Sequence, residues 1–92
     1  MSDDIKSRIE RLSLEITEGS IWAYCGGGNY RVISVELNAT SYEETGSPGI
    51  VVRYEQLSPG SFPKGQIWVR SIEDFQSSIE KDGQSVPKFS RA

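Results

Sequence analysis

The sequence holds no histidine. That removes the commonest general base near neutral pH, the commonest metal ligand and every Ser-His or Cys-His nucleophile pair. Cys25 is the single cysteine, so neither an intramolecular disulfide nor a Cys-rich zinc site can form. That sparing use suits a reducing compartment, and the cytoplasm is the expected location. No apolar run approaches the roughly 20 residues of a membrane span. The opening Met1-Ser2-Asp3-Asp4 is acidic and does not read as a signal peptide, so no membrane partner is expected. Positive charge is in deficit, with 10 Lys and Arg against 13 Asp and Glu, a net charge of −3 and a pI near 4.9. A phosphate backbone rewards clustered Lys and Arg, so nucleic acid is not an expected partner, although Arg53, Arg70, Lys88 and Arg91 all lie in the second half. At 92 residues and 36% hydrophobic content the chain fits one domain with a small core and no large buried pocket.

What is present begins with a helical pattern over residues 2–18. Ser2 or Asp3 can cap its start, and Asp3 and Asp4 suit the positive end of the helix dipole. Ile5, Ile9, Leu12 and Ile16 fall on one stripe, with Lys6, Arg8, Glu10, Arg11, Glu15 and Glu18 on the other face. Gly19 can close the helix in the left-handed conformation. The stripe has two readings: it packs on the domain's own core, or it joins two chains in a homodimer, which two heptads alone are too short to hold.

From residue 19 the period changes to two. Residues 21–25 read as a strand, Gly26-Gly27-Gly28-Asn29 as a turn, and residues 30–37 as a second strand. On that strand Ile33, Val35 and Leu37 share one face and Tyr30, Val32 and Ser34 the other. Residues 38–49 read as a long loop. Residues 50–57 form a third strand, with Ile50, Val52 and Tyr54 opposite Val51, Arg53 and Glu55. A second loop, 58–65, leads to Gln66-Ile67-Trp68-Val69-Arg70, where Ile67 and Val69 face one way and Trp68 and Arg70 the other. Ser71 and Asp74 have capping-box spacing, and Ile72, Phe75 and Ile79 recur at helical intervals. Asp82-Gly83 turns the chain into a last strand over 85–89, with Pro87 suited to an edge. The expected fold is mainly β: a small, strongly bent barrel of four or five short strands, with an N-terminal amphipathic helix and one short helix before the last strand. Residues 1–18 are then a helical extension and 19–92 the barrel domain.

Several of these pieces carry a resemblance. Tyr30-Arg31-Val32, Glu44-Thr45-Gly46, Val51-Val52-Arg53-Tyr54, Trp68-Val69-Arg70, Phe75, Asp82-Gly83 and Val86-Pro87-Lys88-Phe89 resemble, in this order and spacing, the bacterial domain-of-unknown-function family 1653. The resemblance implies an SH3-like barrel over most of the chain, with the N-terminal helix outside it. It assigns no activity and no catalytic residue. Where relatives open with a pattern like Tyr-Arg-His-Phe-Lys-Gly, this chain has Trp22-Ala23-Tyr24-Cys25-Gly26-Gly27. Where they have Pro after Trp-Val-Arg, it has Ser71, a natural helix cap.

The candidate chemistry is sparse. Gly26-Gly27-Gly28 lacks the Lys and helix of a phosphate loop and reads as a hairpin turn, with a backbone anion nest as the alternative. Glu43 and Glu44 are either solvated loop carboxylates or the acid–base pair of a hydrolase acting with Arg70 on a phosphate or ester. Cys25 reads as a buried, inert thiol, with a nucleophile of lowered pKa as the alternative. Asn38-Ala39-Thr40 matches a glycosylation sequon without a secretory context. The aromatics are the stronger lead, since in small barrels they fill the core and also floor peptide grooves. The candidate ligand-binding residues are Tyr30, Tyr42, Glu44, Arg53, Tyr54, Trp68 and Arg70, with Arg70 pairing a loop carboxylate such as Glu44 in the alternative. No catalytic residue, metal or cofactor is assigned. The expected function is a cytoplasmic binding module taking a protein segment or a small anionic, nucleotide-like ligand on an aromatic–Arg groove. The alternatives are a homodimeric adaptor joined through Ile5, Ile9, Leu12 and Ile16, and the carboxylate-dependent hydrolase.

Overall fold

A computed structural model describes residues 2–92, with side chains from Ile5 onward. The expected caps at Ser2 and Asp3 and the dipole contact of Asp4 fall on side chains outside the described residues. The elements run α1 (Ser2–Glu15), β1 (Ile21–Tyr24), β2 (Asn29–Asn38), α2 (Ala39–Thr45), β3 (Gly49–Gln56), β4 (Ile67–Ser71), α3 (Ile72–Phe75), β5 (Ser78–Lys81), β6 (Gln84–Pro87) and β7 (Phe89–Arg91). Five strands make one sheet in the order β4-β3-β2-β1-β7, and β5 and β6 make a separate two-stranded ribbon. Every pairing is antiparallel. No helix among the described residues is long and apolar enough to cross a membrane.

The mainly β expectation holds, with an N-terminal helix and a short helix after the fourth strand. The barrel does not close: β4 and β7 stand at opposite ends of the sheet order and do not pair. The expected single last strand is two, β6 and β7, in different sheets. Lys88 between them sends its N–H to the Ser77 carbonyl at 2.9 Å. Ile79 lies on β5 rather than continuing α3. The chain turns from β5 to β6 through Asp82 (φ 54°) and Gly83 (φ 78°), the two positive-φ positions of a tight hairpin.

The long loop expected over 38–49 contains α2. Asn38 caps it, its side-chain oxygen accepting from Thr40 N at 3.0 Å and Ser41 N at 3.3 Å. Gly46 ends it in the left-handed region (φ 77°), donating its N–H to the Tyr42 carbonyl. Two good caps hold a seven-residue helix that propensity alone would not.

β2 carries a second departure. The register of the β2–β3 ladder shifts between Val32 and Ser34, so Ile33 is the extra residue of a bulge. Before it, Val32 faces inward opposite Tyr54; after it, Val35 faces inward opposite Val52. The bulge therefore changes which face is buried halfway along the strand, and Ser34 turns outward opposite Arg53. β3 needs no such device. Its residues alternate along its whole length, with Ile50, Val52 and Tyr54 buried.

The core is Leu12, Ile16, Val32, Ile50, Val52, Tyr54, Ile72, Phe75 and Phe89, with Trp22, Tyr24, Tyr30, Val35 and Trp68 packed around it. α1 ends at Glu15, short of the expected residue 18, and Gly19 (φ 83°) sends its N–H to the Val32 carbonyl instead of closing the helix. The helix supplies Leu12, the bend directly after it supplies Ile16, and its end is tied down by Arg91, whose Nη1 donates to the Glu15 carbonyl at 3.2 Å. Ile5 and Ile9, the other half of the stripe, are only half-buried and line an outer groove with Leu37, Tyr42 and Pro48.

Candidate ligand-binding cleft

One face of the five-stranded sheet holds a cleft of about 130 Å³ lined by Tyr24, Tyr30, Tyr54, Trp68, Arg70 and Phe89. Each of the five strands contributes. Strand alternation accounts for the placement: on β4 Trp68 and Arg70 are half-buried while Ile67 and Val69 are exposed. Its lining runs from β4 at one end of the sheet order to β7 at the other.

The rings pack edge to face. Tyr30 meets Tyr54 at 5.3 Å between centroids and Phe89 at 6.1 Å. Tyr24 lies 6.2 Å from Tyr30. A Cβ on Gly26 would come within 2.8 Å of the Tyr24 ring, so the glycine makes room for the ring where it borders the cleft. Trp68 is fixed twice over. Phe62 from the preceding loop stands against it at 4.8 Å, and its indole N–H donates to Gln56 Oε1 at 3.2 Å. The buried Gln56 amide donates in turn to the carbonyls of Ser58 and Phe62, each at 2.8 Å. One side chain thus holds both the loop and the indole.

Arg70 is the charged member. Its guanidinium lies 5.7 Å from the Tyr24 ring centroid and 5.4 Å from that of Phe89, within cation–π range. Nε donates to the Tyr54 hydroxyl at 3.1 Å and Nη1 to Asp74 Oδ2. Among the described residues, Nη2 makes no hydrogen bond. Asp74 Oδ1 accepts from Lys88 Nζ at 2.6 Å. A single carboxylate on α3 therefore bridges β4 to the segment leading into β7. Ser71 caps α3 as expected, its hydroxyl accepting from Asp74 N at 3.2 Å, while the Asp74 carboxylate serves the two cations instead of completing the capping box. The bond from Lys88 and then that from Arg70 hold the Asp74 carboxyl below the usual range. Burial disfavours the charge on Arg70, but its bonds to Tyr54 and Asp74 outweigh this and raise its pKa. Burial, followed by the neighbouring Tyr54 and Tyr24, raises that of Tyr30. Arg70 and Lys88 against Asp74 leave one unmatched positive charge beside the rings.

Of the seven candidate residues, Tyr30, Tyr54, Trp68 and Arg70 come together here. Arg53 lies on the outward face of β3, where Nε donates to Glu36 Oε2 at 2.9 Å and Nη2 to Glu36 Oε1 at 3.2 Å. Those bonds and one from Ser34 lower the Glu36 pKa. Tyr42 and Glu44 are exposed on α2, and Tyr42 lines the separate groove beside Ile5 and Ile9. Arg70 takes Asp74 as its partner rather than Glu44. Sequence reasoning missed Tyr24, Phe89, Asp74 and Lys88. Asp74 follows Arg70 by only four residues across the junction of β4 and α3 and was near enough in sequence to be considered as its partner; the approach of Lys88 and Phe89 depends on tertiary structure. Cys25 is half-buried, its N–H bonded to the Lys88 carbonyl at 2.9 Å. No group of three or more acidic or cysteine side chains suited to a metal occurs among the described residues.

No curated protein and no solved structure matches the chain. A family model does, over residues 21–91, from the start of β1 to the end of β7. That span covers all the cleft residues, and the chain accordingly belongs to the family described as protein of unknown function (DUF1653).

Proposed function

We propose that this chain is a cytoplasmic binding module whose cleft seats an anionic group, a carboxylate or a phosphate, projecting from a peptide or nucleotide-like ligand. The observation that carries the reading is Arg70: it is held from two sides by Tyr54 and Asp74, keeps Nη2 unbonded among the described residues, and sits in a cup of aromatic rings with positive charge in surplus. A guanidinium fixed in place loses little freedom on accepting an anion, and the rings give a planar group a stacking surface. At about 130 Å³ the cleft takes one functional group rather than a whole ligand, since pockets for drug-sized molecules run to roughly 300–1,000 Å³.

The test is an NMR titration with acetate, inorganic phosphate and a nucleoside monophosphate. The Trp68 indole N–H and Arg70 Nε–H resonances are expected to move together on saturation. Arg70→Gln, checked for folding by circular dichroism, is expected to weaken binding by about tenfold or more, with Arg70→Lys between the two. Unchanged affinity in a folded Arg70→Gln protein overturns the reading.

A further inference from the structure

The cleft alone offers little area for affinity, and the free edge of β4 beside it offers more. The bond from Gln56 N to Gln66 O (2.9 Å) sets the phase of the β3–β4 ladder. By antiparallel alternation, Trp68 and Arg70 turn their backbone groups to β3, while Ile67 and Val69 turn theirs, with the Ser71 N–H, to the open side; there the Ile67 carbonyl accepts from the exposed Gln66 Nε2 at 3.2 Å, a side chain that an added strand would displace. Edge strands are ordinarily blunted by charge, proline or a bulge. β4 has none of these protections: its ladder runs without a register shift, it contains no proline, and its single charge, Arg70, faces the cleft. Two of its three exposed residues are apolar, Ile67 at 40% and Val69 at 50%; the third is the terminal Ser71. The opposite edge, β7, is only three residues long and follows Pro87 and Lys88.

We infer that β4 takes an extended peptide segment as an added strand, whose inward-facing carboxylate reaches Arg70 and whose outward residues cover Ile67 and Val69. The inference rests on the cleft reading above and names its ligand class. Added strands draw affinity from main-chain bonds and specificity from alternate side chains, and both are available here. The surplus positive charge of Arg70 and Lys88 over Asp74 selects a carboxylate on the inward side. It also disfavours a second copy of this chain as occupant: two β4 strands paired about Val69 would bring two cationic centres together, each with only its own Asp74 and no further carboxylate for the surplus charge.

The probe is a display library of random heptapeptides, presented both internally and with free C-termini, selected on the wild-type protein. Val69→Pro deletes the outward N–H at a position where an edge strand tolerates proline. Enrichment is expected for alternating β-branched peptides carrying Asp, Glu or a free terminus, and enriched peptides should bind Val69→Pro about tenfold more weakly. The two peptide formats separate a side-chain carboxylate from a terminal one. On the wild-type protein, N-methylation of the peptide at alternate positions should abolish binding at one phase and leave it at the other, which tests the edge even if Val69→Pro fails to fold. Enriched peptides that lose affinity with Arg70→Gln but tolerate N-methylation at either phase overturn the strand and leave the cleft reading standing. Peptides sensitive to N-methylation but indifferent to Arg70→Gln keep the strand and overturn the carboxylate and the cleft reading. No enrichment, or a wild-type dimer that Val69→Pro converts to monomer in light scattering, overturns the peptide as occupant.

Discussion

At the scale of single residues, Asp74 does the most with the least. It is half-exposed on a one-turn helix, yet its carboxylate holds Arg70 in the cleft and Lys88 beside it. Its pKa is depressed in the folded protein by those two cations. A carboxyl group of that kind stabilises the fold above its unfolded pKa, near 3.8, and the contribution disappears as pH falls through the lower folded value. Stability should therefore decline into acid, with Glu36, depressed by Arg53 and Ser34, acting in the same direction and window. Asp74→Asn isolates the first contribution. Its urea midpoint should lie below wild type from neutral pH to about pH 5, and the gap should close as pH approaches about 2. Added salt should narrow the gap at neutral pH, because the pair is partly solvated. A pH-independent gap would mean that Asp74 acts through packing instead of charge.

At the scale of elements, what the sequence made readable were those features determined by near neighbours. β3 alternates without interruption, and its buried residues are the ones its period indicates. Ser71 caps α3 because the residue three positions on has its N–H in reach. The bulge at Ile33 was not readable, since nothing local marks it; it exists because the strand must bury Val32 and then Val35. α2 was missed because Gly46, Ser47, Pro48 and Gly49 dominate the composition of the segment, although Asn38 and Gly46 were its caps in plain view. The same logic divided the cleft. Alternation placed Trp68 with Arg70, whereas Arg53, one residue from Tyr54, was always bound for the opposite face. α3 yields a prediction at this scale. A four-residue helix has no length over which to propagate, so its cap matters more than its propensity. Ser71→Ala should cost about 1 kcal/mol, a fall of roughly 4–8 °C in midpoint for a domain of this size, measured by calorimetry. Ser71→Asp should recover most of it. An unchanged midpoint in Ser71→Ala would mean that burial of Ile72 and Phe75 holds the turn unaided.

At the scale of the whole molecule, the family match and the core have different limits. The match begins at Ile21, yet Leu12 on α1 and Ile16 directly after it belong to the core at 7% and 2% exposure. In this chain α1 completes the packing of the sheet. Truncating a buried Leu or Ile to Ala typically costs about 2–5 kcal/mol, and small domains hold only about 5–15 kcal/mol in all. Leu12→Ala and Ile16→Ala should therefore each remove a large fraction of the stability, seen as a lower urea midpoint with little change in slope. Ile5 and Ile9 sit on the same stripe but line the open groove with Leu37 and Tyr42, so their alanine variants should cost about 1 kcal/mol or less. The stripe thus separates a packed half from a half left available, and light scattering on the same four proteins reads the second half. If Ile5→Ala or Ile9→Ala turns a dimer into a monomer while stability is kept, the outer half of the stripe is an interface between chains. If all four variants lose stability equally, the groove closes in solution and the whole stripe belongs to the core.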